Sequence, residues 1–167
     1  MGMAQMGLAQ MSPQISKTAS DVLSDVEVIP MFAVGRDNVA FRDEEAQTNN
    51  YALSGVRVAY KLSHKGFIPG VNDSVELMGG VFRRQNDLGE VGTTWRGGMQ
   101  WSFQVHPDWT PFVIAESSYS WFGRDFDFET APFSAPRAGI QYRLQKNVSL
   151  RAESSWLETG VGAVVRL

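Results

Sequence analysis

A chain of 167 residues suits one domain, and the absence of cysteine excludes both a disulfide framework and a thiolate metal site. A formal charge of −3 gives no reason to expect nucleic acid as a partner. No run approaches the ~18 consecutive apolar residues of a transmembrane helix, and mean hydropathy is slightly negative, but strands that bury only alternate residues in lipid remain open.

Residues 1–24 read as a flexible leader, rich in Met, Gln, Ala and Ser, with Pro13 and a short helix near Ser16–Leu23. Met1–Gly7 lacks the basic and continuous apolar regions of a signal peptide, so an exported protein of this sequence is expected to have lost its signal already. The remaining domain, 25–167, alternates throughout. Strands are predicted over 26–35, 51–62, 74–84, 91–105, 110–122, 135–145, 148–157 and 159–167, eight in all. The connections Arg36–Asn50, Ser63–Asp73, Gln85–Glu90, His106–Trp109, Gly123–Ser134, Lys146–Asn147 and a turn around Glu158 carry the Asp, Asn, Gly and Pro that turns require. No long amphipathic helix is present, which argues against βαβ units.

Alternation is sharpest in the last forty residues. Ala138, Ile140, Tyr142 and Leu144 oppose Arg137, Gly139, Gln141 and Arg143; Val148, Leu150, Ala152 and Trp156 oppose Ser149, Arg151, Glu153 and Ser155. Val161, Ala163, Val165 and Leu167 oppose Gly160, Gly162, Val164 and Arg166. A last strand with no tail to cover its edge is expected to pair onward and close a ring. The expected fold is therefore all-β, an eight-stranded antiparallel up-and-down barrel.

Which face is inside decides the function, because a period of two serves either solution. A lipocalin-like soluble barrel puts the apolar face around a ligand cavity, with Trp101, Phe103, Ile140 and Tyr142 lining it. A transmembrane barrel puts the polar face in the lumen and the apolar face in lipid. The polar register favours the second. It holds Glu27, Arg57, Lys61, Glu76, Arg84, Arg96, Gln100, Gln104, Glu116, Arg137, Gln141, Arg143, Arg151, Glu153 and Arg166, with Lys61 the one lysine. The planar fork of arginine suits enclosed pairing with carboxylates. We expect a lumen ion-pair network of Glu27, Arg57, Glu76, Arg96, Glu116, Arg137, Arg143, Arg151, Glu153 and Arg166. Glycines distributed through the strands, Gly55, Gly79, Gly80, Gly97, Gly98, Gly139 and Gly162, fit a curved wall with a crowded interior.

The aromatics of the apolar face fall at strand ends. Tyr60, Trp101, Phe103 and Tyr142 lie toward one rim; Trp95, Tyr119, Trp121 and Trp156 lie toward the other. Paired belts flanking an aliphatic band are what a bilayer interface selects.

The segment Pro136-Arg-Ala-Gly-Ile-Gln-Tyr-Arg-Leu-Gln-Lys-Asn-Val-Ser-Leu-Arg-Ala-Glu153, with Gly162-x-x-Val165-x-Leu167 after it, resembles the closing strands of small OmpA/OmpX-like outer-membrane β-barrels. The specific match covers the last thirty or so residues. The resemblance implies an outer-membrane location and reading of Gly162, Val165 and Leu167 by the barrel-assembly machinery, with Leu167 standing where the family usually has Phe.

An eight-stranded ring is just wide enough for side chains to fill, so a packed lumen is expected rather than a wide pore, with a narrow channel as a minor alternative. Lipid-modifying chemistry of the kind some small outer-membrane barrels perform needs a His with a Ser. His64 beside Ser63, and His106 four residues after Ser102, read instead as turn residues; no catalytic residue, cofactor or metal is assigned. His106-Pro-Asp-Trp109 looks like a β-turn. The opposite loops are acidic, with Asp37, Asp43, Glu44, Glu45, Asp87, Glu90, Asp125, Asp127 and Glu129. Asp125-Phe-Asp-Phe-Glu129 has oxygen ligands for a hard cation, yet Phe126, Phe128 and Phe133 read better as an extended hairpin tip or protein-contact surface. The expected role is structural, adhesive or a part in an envelope assembly. Partners are membrane lipids, the barrel-assembly machinery and an envelope protein met through the leader or loop 123–134, with no nucleic acid.

Overall fold

Alternating side chains produce extended strands, and the computed structural model contains nine across residues 25–39, 47–63, 68–122, 127–131 and 136–167, the residues it describes. They are β1 (Val26–Val39), β2 (Gln47–Ser63), β3 (Asp73–Asn86), β4 (Val91–Phe103), β5 (Trp109–Phe122), β6 (Asp127–Ala131), β7 (Arg137–Gln145), β8 (Val148–Ser154) and β9 (Glu158–Arg166). The leader 1–24, His64, Asp125, Phe126, Phe133 and the side chains of 127–129 lie outside what is described.

Every strand pairs antiparallel with its neighbours, and β4–β5 pairing joins the two ends of the order β4-β3-β2-β1-β9-β8-β7-β5. β5 pairs with both β6 and β7: Ser118–Phe122 meets Asp127–Ala131, and Trp109–Ile114 meets Arg137–Tyr142. The two segments share one position around the ring, which makes a closed eight-stranded antiparallel up-and-down barrel. β1 begins and β9 ends at what we call the near rim. The far rim carries the β1–β2, β3–β4, β5–β6 and β8–β9 connections.

Three local expectations are corrected. The connection 123–134 contains β6, which pairs with the far end of β5 over Ser118–Phe122. β8 stops at Ser154, where Ser155 Oγ accepts the backbone N–H groups of Leu157 and Glu158 at 3.2 and 3.1 Å, so Trp156 sits on a turn. Glu158 belongs to β9, not to the turn. The β3–β4 turn is a three-residue hairpin loop with Gly89 at φ 84° and a Gly89 N–H to Asn86 carbonyl bond of 3.1 Å.

Large inward side chains stand over glycines on neighbouring strands. Phe82 pairs with Gly55, Phe112 with Gly139, Arg57 with Gly80, Glu116 with Gly98 and Arg151 with Gly162. A Cβ on Gly55 would lie 2.6 Å from Phe82 Cα, and one on Gly139 would lie 2.3 Å from Phe112 Cζ. Of the glycines expected to relieve a crowded interior, Gly55, Gly80, Gly98, Gly139 and Gly162 thus have identified occupants above them, whereas an added Cβ on Gly79 or Gly97 would meet no atom nearer than 4.0 or 3.8 Å.

Candidate functional site

The interior is a stack of polar layers, built because every second residue of each strand points inward. Among the described residues, eighteen polar or charged side chains are buried against eleven apolar ones. Arg57 and Arg151 are among the most deeply buried large side chains.

The middle layer joins four arginines to three glutamates. Arg57 donates to Glu116 at 3.1 Å and to Glu153 at 3.0 Å. Arg96 pairs with Glu158 and, at 3.5 Å, with Glu116. Arg137 reaches Glu116 at 2.8 Å, Glu153 at 3.3 Å and Glu158. Arg151 pairs with Glu153 at 2.8 Å. Tyr51 donates its hydroxyl proton to Glu158 at 2.9 Å. Aromatic rings complete the packing: the Arg151 guanidinium lies 3.9 Å from the Phe112 ring centroid, and Arg96 and Arg57 lie 5.3 and 5.8 Å from that of Phe82.

Toward the far rim the Arg84 guanidinium stacks 4.1 Å from the Tyr51 ring centroid, and Thr94 and Ser120 hydroxyls meet at 2.9 Å. Toward the near rim Gln100 Nε2 donates to Glu76 and to Ser102 Oγ, both at 2.8 Å, and Arg166 pairs with Glu27 at 2.7 Å. Below these lies a cavity of about 90 Å³, lined by polar and charged side chains from β2, β3, β4, β5, β7 and β9.

The structure places Glu27, Arg57, Glu76, Arg96, Glu116, Arg137, Arg151 and Glu153 in the interior, with Arg166 half-buried. Arg143 is half-buried beside the near cavity and makes no ion pair among the described residues, unlike the other arginines of the expected network. Gln104 is exposed at the mouth, where its side-chain oxygen accepts from Asn72 at 2.7 Å. Glu158 was missed because it was assigned to a turn; its two-residue spacing with Gly160, Gly162 and Val164 was the available signal. A second omission is the apolar part of the lumen. Ile29, Met31, Ala33, Leu53, Ala59, Met78, Ile114 and Val164 form a buried cluster drawn largely from the strands that also carry the charges.

The outward face is the complement. Twenty-five large hydrophobic side chains are exposed among the described residues, including Phe32, Val56, Val58, Leu77, Met99, Val113, Leu150 and Val161. Tyr60, Trp101, Phe103 and Tyr142 lie toward the near rim, joined by Trp109, whose ring meets Tyr142 at 4.5 Å. Trp101 stacks on Phe103 at 4.8 Å and donates Nε1–H to Asp73 at 2.7 Å. Trp95, Tyr119, Trp121 and Trp156 lie toward the far rim, with Trp156 76% exposed. Gly162 lies across β9 from Arg151 and Met31, and Val165 and Leu167 point outward. Exposed His106 lies 3.9 Å from Asp108 in its turn, and no group of three potential metal ligands occurs among the described residues.

A closed ring with an apolar outside and a hydrogen-bonded, charged inside belongs to the class of small up-and-down β-barrels of membrane type. Solved structures of that shape match it. A designed transmembrane β-barrel shares 17% identity over 86% of this chain and 96% of its own, with a TM-score of 0.53. Neisserial surface protein A shares 11% over 86% and 98%, with a TM-score of 0.55. Ail, the attachment invasion locus protein of Yersinia pestis, shares 16% over 85% and 97%, with a TM-score of 0.47. At these identities the likeness concerns the fold alone. No family model and no curated protein sequence matches the chain.

Proposed function

We propose that this chain is a bacterial outer-membrane β-barrel of the OmpA/OmpX-like kind, with a non-catalytic role in anchoring, adhesion or envelope assembly. The observation that carries the reading is the inverted distribution of side chains: buried arginines and glutamates inside, Val, Leu, Met and Trp outside. In water such a surface would be a continuous apolar belt far beyond the patches that soluble monomers expose. In lipid the reverse arrangement would be prohibitive, since each outward Arg or Lys costs about 2–4 kcal/mol at the midplane. The soluble alternative requires Trp101, Phe103, Ile140 and Tyr142 to line a cavity and Arg96, Arg143 and Arg151 to meet water. Ile140 and Tyr142 are instead exposed on the outer wall, with Trp101 and Phe103 half-buried, while Arg96 and Arg151 are buried and Arg143 is half-buried.

In this reading Tyr60, Trp101, Phe103 and Tyr142 anchor one interface and Trp95, Tyr119, Trp121 and Trp156 the other. Gly162, Val165 and Leu167 form the signal offered to the assembly machinery, and a partner meets the leader 1–24 or the β5–β6 tip. The test is electrophoretic mobility of the detergent-folded protein, unheated and boiled, beside flotation with lipid vesicles. Heat-dependent mobility with flotation is the expected result. A chain that stays soluble without detergent and never floats would overturn it.

A further inference from the structure

The near mouth of the lumen has unused hydrogen-bonding groups beside a cavity, whereas the unpartnered atoms of the middle layer, among them Arg96 Nε and Arg137 Nε, are packed away from it. The cavity of about 90 Å³ is lined by Lys61, Asn72, Asp73, Ser74, Glu76, Ser102, Gln104, Thr110, Gln141, Arg143 and Arg166. Most of these are engaged. Asn72 and Gln104 bond each other, Asp73 accepts from Trp101, Glu76 accepts from Ser74, Gln100 and Ser102, and Arg166 pairs with Glu27.

The side chains of Lys61, Thr110, Gln141 and Arg143 have no hydrogen-bond or ion-pair partner among the described residues. Gln141 is only 5% exposed, so its amide is committed to the cavity. Thr110 stands directly opposite it in the β5–β7 register, and Arg143 is two residues along on the same inward face. Lys61 faces Glu76 across β2–β3 without reaching ion-pair distance. The Gln141 amide and the Arg143 guanidinium therefore present unused donors to the cavity.

We propose that this cavity binds a small oxyanion, a phosphate or short carboxylate, held by Lys61 and Arg143 and oriented by Gln141 and Thr110. Two cations supply the charge, the amide and hydroxyl supply directed hydrogen bonds, and the volume admits a group of a few heavy atoms. Glu76, beside Lys61 and across the cavity from Gln141 and Arg143, favours an anion that also carries a proton to donate, such as a hydrogen phosphate or a hydroxycarboxylate. The inference rests on the closed barrel and its near mouth, not on the membrane assignment.

The test is NMR titration of the full chain, folded in a non-ionic, phosphate-free detergent, with inorganic phosphate and separately with glycolate. The expected result is saturable amide shifts at Thr110, Gln141 and Arg143 for one or both anions. The double variant Lys61→Gln/Arg143→Gln should weaken binding about tenfold or more, the loss expected from two charge-assisted bonds. Gln141→Leu removes the amide without changing charge and should give a smaller loss, which keeps the test open if the double variant misfolds. Arg83→Gln, outside the cavity, should bind as the wild type does. Absence of saturable shifts with both anions, or equal binding by the double and Gln141→Leu variants, would overturn the site.

Discussion

The middle layer and the near mouth of the lumen are made of the same residue types and behave as opposites. In the middle, Arg57, Arg96, Arg137 and Arg151 are interlocked with Glu116, Glu153 and Glu158 so that Glu116 and Glu153 each serve three guanidiniums and Glu158 serves two together with the Tyr51 hydroxyl. At the mouth, Lys61 and Arg143 face a cavity without such partners among the described residues. Pairing, not charge, separates the two. The ion-paired network fills the barrel and holds its walls in register, leaving only enclosed atoms such as Arg96 Nε and Arg137 Nε without a partner, whereas the groups beside the cavity are within reach of a ligand. The sharpest break of this comparison is to remove a carboxylate from the ion-paired layer. Glu153→Ala leaves Arg151 without its ion-pair partner and strips contacts from Arg57 and Arg137. It should cost about 3–5 kcal/mol, the penalty of an uncompensated buried charge, read as a lower urea midpoint for the lipid-folded barrel. Arg143→Gln at the mouth should stay within about 0.5 kcal/mol of wild type, as a substitution away from any paired network does. Equal losses at the two sites would erase the distinction.

The second contrast is between the two faces of one strand. Leu77 on β3 is 51% exposed on the outer wall, while Glu76 beside it is buried. Leu77→Arg should destabilise the barrel by about 2–4 kcal/mol when it is folded in lipid vesicles. In a soluble setting the same change would add a solvated charge and cost little. A urea titration in vesicles that shows no loss for Leu77→Arg would remove the outer wall from the bilayer.

Much of this was legible in advance, and the reason is mechanical. A period of two assigns every strand residue to one face, so Arg57, Glu116, Arg137, Arg151 and Glu153 could be placed together from pattern alone, although they come from four different strands. What escaped was of three kinds. Glu158 was lost because a turn boundary was set one residue too late, and a boundary error flips no face but discards the residue. Ile29, Met31, Leu53 and Phe112 were not assigned inward because hydrophobicity does not say which side of a barrel wall it serves. The freedom of Arg143 could not be foreseen, since pairing depends on height along the lumen and alternation carries no height.

The finest test of the inside-outside comparison uses glycines, where the substitution adds a single methyl and no charge. Gly55 faces inward, and a Cβ there would lie 2.2 Å from the Val81 carbonyl oxygen and 2.6 Å from Phe82 Cα. Both contacts are backbone, so rotating a side chain cannot relieve them. Gly79, two residues from Leu77 on the outward face of β3, has only the Arg96 carbonyl oxygen at 4.0 Å from an added Cβ. Gly55→Ala should therefore force the β2–β3 wall apart and cost about 1–3 kcal/mol, the usual penalty of overpacking. Gly79→Ala should be neutral or raise stability by about 0.5–1 kcal/mol, because glycine within a strand carries an entropic cost that alanine lessens. Paired urea titrations of the two variants decide the matter: opposite signs follow from a lumen packed against its glycines, and equal effects would mean that Gly55 is not the floor on which Phe82 rests.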